Sequence, residues 1–185
     1  MKFIILQILL IFGTLNLQAT EITKEAKSDI LKVNAGVEYD FQGGYNDRVA
    51  NVDVEYMKNY ESSFTYGASL GFLRMSNFTT PLDEQGKRYV IEGFNTLYAC
   101  LRNGVSVRPV SAVYLELLTG PCYFQKAETL ISGNLQFNTQ VGLGFRDPRT
   151  GSTIGVHVRH FSNAGLKKPN DGINLYMISM GISFD

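Results

Sequence analysis

Apolar and polar residues alternate with a period of two along most of this chain, the pattern of strands with one greasy and one polar face. In Leu31, Val33, Ala35, Val37, Tyr39 and Phe41 one face is apolar, while Lys32, Asn34, Gly36, Glu38 and Asp40 lie between them. Ala50, Val52, Val54 and Tyr56 repeat it against Asn51, Asp53 and Glu55. Phe64, Tyr66, Ala68, Leu70 and Phe72 do so against Thr65, Gly67, Ser69 and Gly71. A fourth segment at 89–101 and a fifth at 111–124 alternate less clearly, because Ile91, Leu97 and Leu118 blur the faces. A sixth strand sets Leu135, Phe137, Val141, Leu143 and Phe145 against Gln136, Asn138, Gln140, Gly142 and Gly144. Ile154, Val156 and Val158 mark a seventh; Asn174, Tyr176, Ile178, Met180, Ile182 and Phe184 an eighth.

Eight alternating strands of about ten residues separated by turns predict an all-β fold, an eight-stranded antiparallel transmembrane β-barrel with a polar interior. The rival is a secreted soluble barrel whose apolar face points inward. The glycines choose between them. Gly36, Gly67, Gly71, Gly142, Gly144, Gly155 and Gly181 share the polar face, and the crowded inside of a small barrel is where small residues belong. Lys32, Glu38, Asp53, Glu55, His157 and Arg159 then form a hydrogen-bonded plug. Longer loops at 42–48, 74–88, 125–133 and 163–172 face outward from the cell if both termini are periplasmic. Tight turns near 60–62 and 147–151 face the other way, with 102–110 as a moderate exception. Trp is absent, so interfacial aromatics must be Tyr and Phe. The chain ends Ile182-Ser183-Phe184-Asp185, with the aromatic residue penultimate.

The first residues read as a secretory leader. Lys2, the mostly apolar run Phe3–Leu15, and Ala19 before Thr20 give a charge, a short apolar core and a small residue at the cut. Residues 1–19 are expected to leave, with 20–185 forming a single barrel domain of about 165 residues. The full chain has 17 basic and 17 acidic side chains; this balance gives no bulk attraction for nucleic acid. No later segment is apolar for long enough to form a spanning helix. Cys100 and Cys122 are expected near opposite ends of a hairpin centred at residue 106. They would then lie beyond disulfide reach and stay unpaired.

The chemistry concentrates in Val156-His157-Val158-Arg159-His160-Phe161-Ser162-Asn163-Ala164-Gly165 and the following Pro169-Asn170-Asp171-Gly172-Ile173-Asn174. Two residues apart on a strand, His160 and Ser162 leave the same face, shared with Ile154, Val156 and Val158. A hairpin loop near residue 167 sets Asn174 almost opposite His160, where Cβ atoms are about 5 Å apart. A base, a nucleophile and a third polar group on the apolar face suit a lipid substrate. In a serine hydrolase the imidazole takes the hydroxyl proton and a third residue orients the ring. A His-x-Ser pair by itself is weak, since a Ser at a barrel rim is usually only solvated. Polar groups facing lipid, however, are costly unless functional or close to the headgroups. His157 falls on the polar face and belongs to the plug. Lys167 and Lys168 are either solvated loop lysines or contacts for lipopolysaccharide phosphates and carboxylates.

The run His160–Gly165 followed by Pro169-Asn170-Asp171-Gly172 resembles the outer-membrane lipid A 3-O-deacylases of PagL type, and more loosely the resemblance extends over all eight strands. It implies a Gram-negative outer-membrane serine esterase that removes the ester-linked acyl chain at position 3 of lipid A in the outer leaflet, without metal or cofactor. By matching positions Ser162 is the nucleophile and His160 the base, with Asn163, the Ala164 N–H and Asn170 as candidates to stabilise the oxyanion. The chain departs at the third position, where better-known members carry glutamate and this one has Asn174. A neutral amide can accept the imidazole N–H but cannot stabilise the imidazolium by charge. Asp171 is a poor substitute because of its loop position. The partners expected are lipopolysaccharide and the bilayer. The competing functional readings are a non-catalytic structural outer-membrane barrel and a secreted lipid-binding barrel.

Overall fold

A computed structural model describes residues 29–38, 49–60, 63–79, 90–110, 112–127, 132–167 and 172–184. The expected leader, Asn170, Asp171 and Lys168 lie outside these residues. Ten strands follow one another: β1 (Asp29–Glu38), β2 (Val49–Tyr60), β3 (Phe64–Met75), the short pair β4 (Phe78–Thr79) and β5 (Val90–Ile91), β6 (Asn95–Val110), β7 (Val113–Phe124), β8 (Leu135–Arg146), β9 (Thr153–Ser162) and β10 (Ile173–Phe184). Eight close into an antiparallel barrel in the order β1-β10-β9-β8-β7-β6-β3-β2, with β4 and β5 pairing apart. Closure removes the free edges that an open sheet would expose.

The outer wall is apolar, as the alternation predicts. Val33, Leu70, Leu101, Val156, Ile178 and Met180 are each at least half exposed, and no described helix is long enough to cross a membrane. Tyr56, Phe64, Tyr66, Phe145 and Phe184 face outward near the end that carries the termini. Tyr and Phe thus supply the interfacial aromatics that Trp gives other barrels.

All seven glycines assigned to the polar face line the inside. Around them lies the expected plug. Arg159 pairs with Asp53, Arg102 with Glu55 at 2.7 Å, and Lys32 with Glu116 at 2.7 Å. Gln140 ties the pairs together. Its Oε1 accepts from Arg102 and Arg159, both at 2.9 Å, and its Nε2 donates to Glu116 at 2.8 Å. Such groups are tolerable out of water because each charge has a partner.

The loop end of the interior is different: it is apolar. Phe161, Phe124, Tyr98, Ile173, Leu175 and Met177 are among the side chains that cluster there. The three aromatic rings meet with centroids 5.0–5.3 Å apart, Tyr98 stacked on Phe124 and Phe161 edge-on to both. The interior thus combines the expected polar plug with an apolar cluster at its loop end. Ile173, Leu175 and Met177 take the inward positions at the start of β10, so its inner face is apolar at that end.

The fourth and fifth strands also differ from expectation. β6 continues to Val110 and only residues 111–112 separate it from β7. The segment 102–110, expected as a connection, is instead strand, and its ladder with β7 carries an irregularity between Val107 and Val110. The hairpin centre moves from residue 106 to 111, and Cys100 then stands directly opposite Cys122. The two form a disulfide with Cα atoms 4.0 Å apart. The expected free thiols are corrected by this register.

Candidate active site

β9 builds the site by sending alternate residues to opposite destinations. Arg159 and Phe161 point inward and are fully buried, Arg159 in the ion-pair plug and Phe161 in the aromatic cluster. The residues between and after them, His160 and Ser162, leave through the outer face and are half-buried. Two large inward anchors thus hold the end of the strand while His160 and Ser162 face outward.

Asn174 enters from β10. The register pairs it with His160, and its Oδ1 lies 2.8 Å from His160 Nδ1. A carbonyl oxygen can only accept, so this contact calls for a proton on Nδ1, which in the neutral ring leaves Nε2 with its lone pair. On the other flank the register sets Thr139 beside His160 and Phe137 beside Ser162. Ser162 is one strand repeat beyond His160, about 6.6–6.8 Å along β9. Among the described residues its hydroxyl makes no hydrogen bond to the ring. Catalytic bonds of this kind commonly tighten only around substrate.

Asn163 follows Ser162 but turns inward and is 1% exposed. Its amide nitrogen donates to Ser132 O at 2.8 Å and Lys167 O at 2.6 Å. Its Oδ1 accepts from the Gly165 N–H at 2.9 Å, and the Leu166 N–H returns to the Asn163 carbonyl at 3.0 Å. The structure thus spends this amide on the loop, which corrects the expectation that it faces an oxyanion. Tied this way, the chain turns through two successive left-handed residues, Ala164 at φ 54° and Gly165 at φ 82°. For alanine that conformation costs about 1–2 kcal/mol. Ala164 itself is exposed at this turn.

His157, as expected, points into the barrel and is 5% exposed; it has no part in the outer site. No cluster of metal-ligating side chains occurs among the described residues. Sequence reasoning overlooked Gly172 as more than a motif residue. It is buried and left-handed, at φ 75°, and its backbone packs on the His160 ring. A glycine opening a strand is the only signal the sequence offers for this.

Comparisons with known proteins agree with the barrel fold. The crystal structure of the outer membrane enzyme PagL superposes with a TM-score of 0.54 at 21% identity, covering 82% of this chain and 98% of that one. A de novo designed transmembrane β-barrel gives 0.55 at 9% identity, covering 88% of this chain and all of the other. These likenesses concern the fold. In sequence, the lipid A deacylase PagL of Pseudomonas aeruginosa is 42% identical over 48 residues, which cover 26% of this chain and 27% of the relative. The lipid A deacylase PagL of Bordetella bronchiseptica is 34% identical over 74 residues, 38% of this chain and 41% of the relative. Both matches span less than half of those relatives. The family described as lipid A 3-O-deacylase (PagL) matches residues 33–183. On that match, which takes in every barrel strand at least in part, the chain belongs to the PagL family of outer-membrane β-barrels.

Proposed function

We propose that this protein is a serine esterase that removes the 3-O-linked acyl chain of lipid A from the outer leaflet. The observation that carries the reading is the 2.8 Å contact between His160 Nδ1 and Asn174 Oδ1 on the lipid-facing wall, with Ser162 one strand repeat away. Family membership supports the same reading.

In the proposed reaction His160 Nε2 takes the Ser162 hydroxyl proton as Oγ attacks the ester carbonyl. The Ala164 N–H is the favoured donor to the resulting oxyanion, with Asn170 a second candidate from the sequence. The imidazolium returns its proton to the departing 3-hydroxyl of the sugar. Water, deprotonated by the same ring, then releases the fatty acid from Ser162. Asn174 orients the ring and selects its tautomer without adding negative charge. Below the site Val158, Tyr176, Val156 and Ile178 continue the outer face as apolar wall, so an acyl chain can stay in the bilayer while its ester reaches Ser162. Lys167 is exposed on the adjoining loop and suits the phosphates of the substrate.

The test is mass spectrometry of lipid A from cells expressing the wild type or Ser162→Ala. Loss of one 3-hydroxy fatty acid with the wild type only is the expected result. Identical lipid A from both would favour a structural barrel without catalysis.

A further inference from the structure

Asn174 holds only one edge of the His160 ring, through Nδ1. The adjoining edge, from Cε1 to Nε2, meets the backbone of Gly172, two residues before Asn174 on the same chain segment. A Cβ placed on Gly172 would lie 2.6 Å from His160 Cε1 and 3.3 Å from Nε2. It would also lie 2.9 Å from the Phe161 carbonyl oxygen, so it could not be accommodated by moving the ring alone. The φ of 75° adds a second restriction, since side-chain-bearing residues disfavour this region. Gly172 is buried, which leaves the close approach no solvent to move into.

We infer that Gly172 is a positioning residue for the reaction proposed above, a bare stretch of backbone that, with Asn174, clamps the His160 imidazole so that Nε2 stays aimed for proton transfer. The inference rests on the Ser162–His160 reading. The residues divide the work by chemistry: the amide of Asn174 decides which nitrogen is protonated, and the absent side chain of Gly172 decides where the other nitrogen sits. A methyl group there would push the ring off Asn174, or lift the start of β10 away from β9. Either movement displaces a proton acceptor whose placement matters at the ångström level.

Gly133 provides the control. It too has a left-handed φ, 89°, but a Cβ there meets only Lys167 Cδ at 3.7 Å, an ordinary contact. Gly133→Ala therefore carries the backbone cost of a left-handed alanine without touching the ring.

The experiment measures kcat and KM on lipid A in detergent micelles for the wild type, Ser162→Ala, Gly133→Ala and Gly172→Ala, each checked for heat-modifiable migration as a folded barrel. The expected result for Gly172→Ala is a folded protein with kcat lowered about a hundredfold and KM unchanged, while Gly133→Ala keeps the wild-type kcat. A folded Gly172→Ala that matches Gly133→Ala overturns the assignment while leaving the esterase reading intact. Full turnover by Ser162→Ala overturns the esterase reading itself, and this inference with it. Should Gly172→Ala not fold, nuclear Overhauser contacts in the wild-type barrel decide the matter. A cross-peak between His160 Hε1 and Gly172 Hα supports the clamp, and its absence overturns it.

Discussion

His160 Nδ1 and Asn174 Oδ1 meet at 2.8 Å across the β9–β10 ladder, on the outside of the barrel rather than in its lumen. The pair is directly opposed in register, so no loop movement is needed to assemble it. An uncharged acceptor at this place fixes the tautomer of a neutral ring but would do little for the imidazolium of the proposed reaction.

Replacement of Asn174 separates those two contributions. Asn174→Ala is expected to lower kcat by about ten- to a hundredfold, since the ring loses its orienting partner. Asn174→Glu restores an acceptor and adds a charge, and should hold or raise turnover. Fatty-acid release by the purified barrel measures both. A neutral Asn174→Ala would remove this residue from the site.

Asn163 predicts a loop effect. Asn163→Asp removes both amide donors and sets a carboxylate against the carbonyls of Ser132 and Lys167. Losing buried hydrogen bonds of this kind costs about 1–3 kcal/mol each. Limited proteolysis should then cut within 163–172 of the variant while the wild type resists, and turnover should fall in parallel.

The interior pairs are expected to behave as coupled charges. Arg159→Leu leaves Asp53 buried without its guanidinium, a change that typically costs about 3–5 kcal/mol. Adding Asp53→Leu should recover much of that loss. Urea-dependent unfolding of the two variants in detergent is the measurement, and a double variant no better than the single one would count against a direct coupling.

Disulfide loss should be felt in stability and not in chemistry. Cys100 and Cys122 staple β6 to β7 inside the barrel, on strands two and three places from β9. The double serine variant is expected to lose about 2–4 kcal/mol and to retain the wild-type kcat. Thiol alkylation followed by mass measurement, with and without reductant, checks the bond directly.

Alternation along the chain was enough to determine that this is an eight-stranded barrel, which face meets lipid, and that His160, Ser162 and Asn174 share that face. The reason is that a period of two assigns each side chain to a side once one side is known to be apolar. Register and depth were decided by the tertiary structure. The continuation of β6 to Val110 placed the hairpin turn at 111–112 and so joined two cysteines that strand counting had kept apart. The inward turn of Asn163 depends on carbonyls contributed by Ser132 and Lys167, and the fit of Gly172 against the His160 ring depends on how two strands close on each other. Contacts between segments distant along the chain carry no periodic trace, because they are settled by which ladder forms and where it slips.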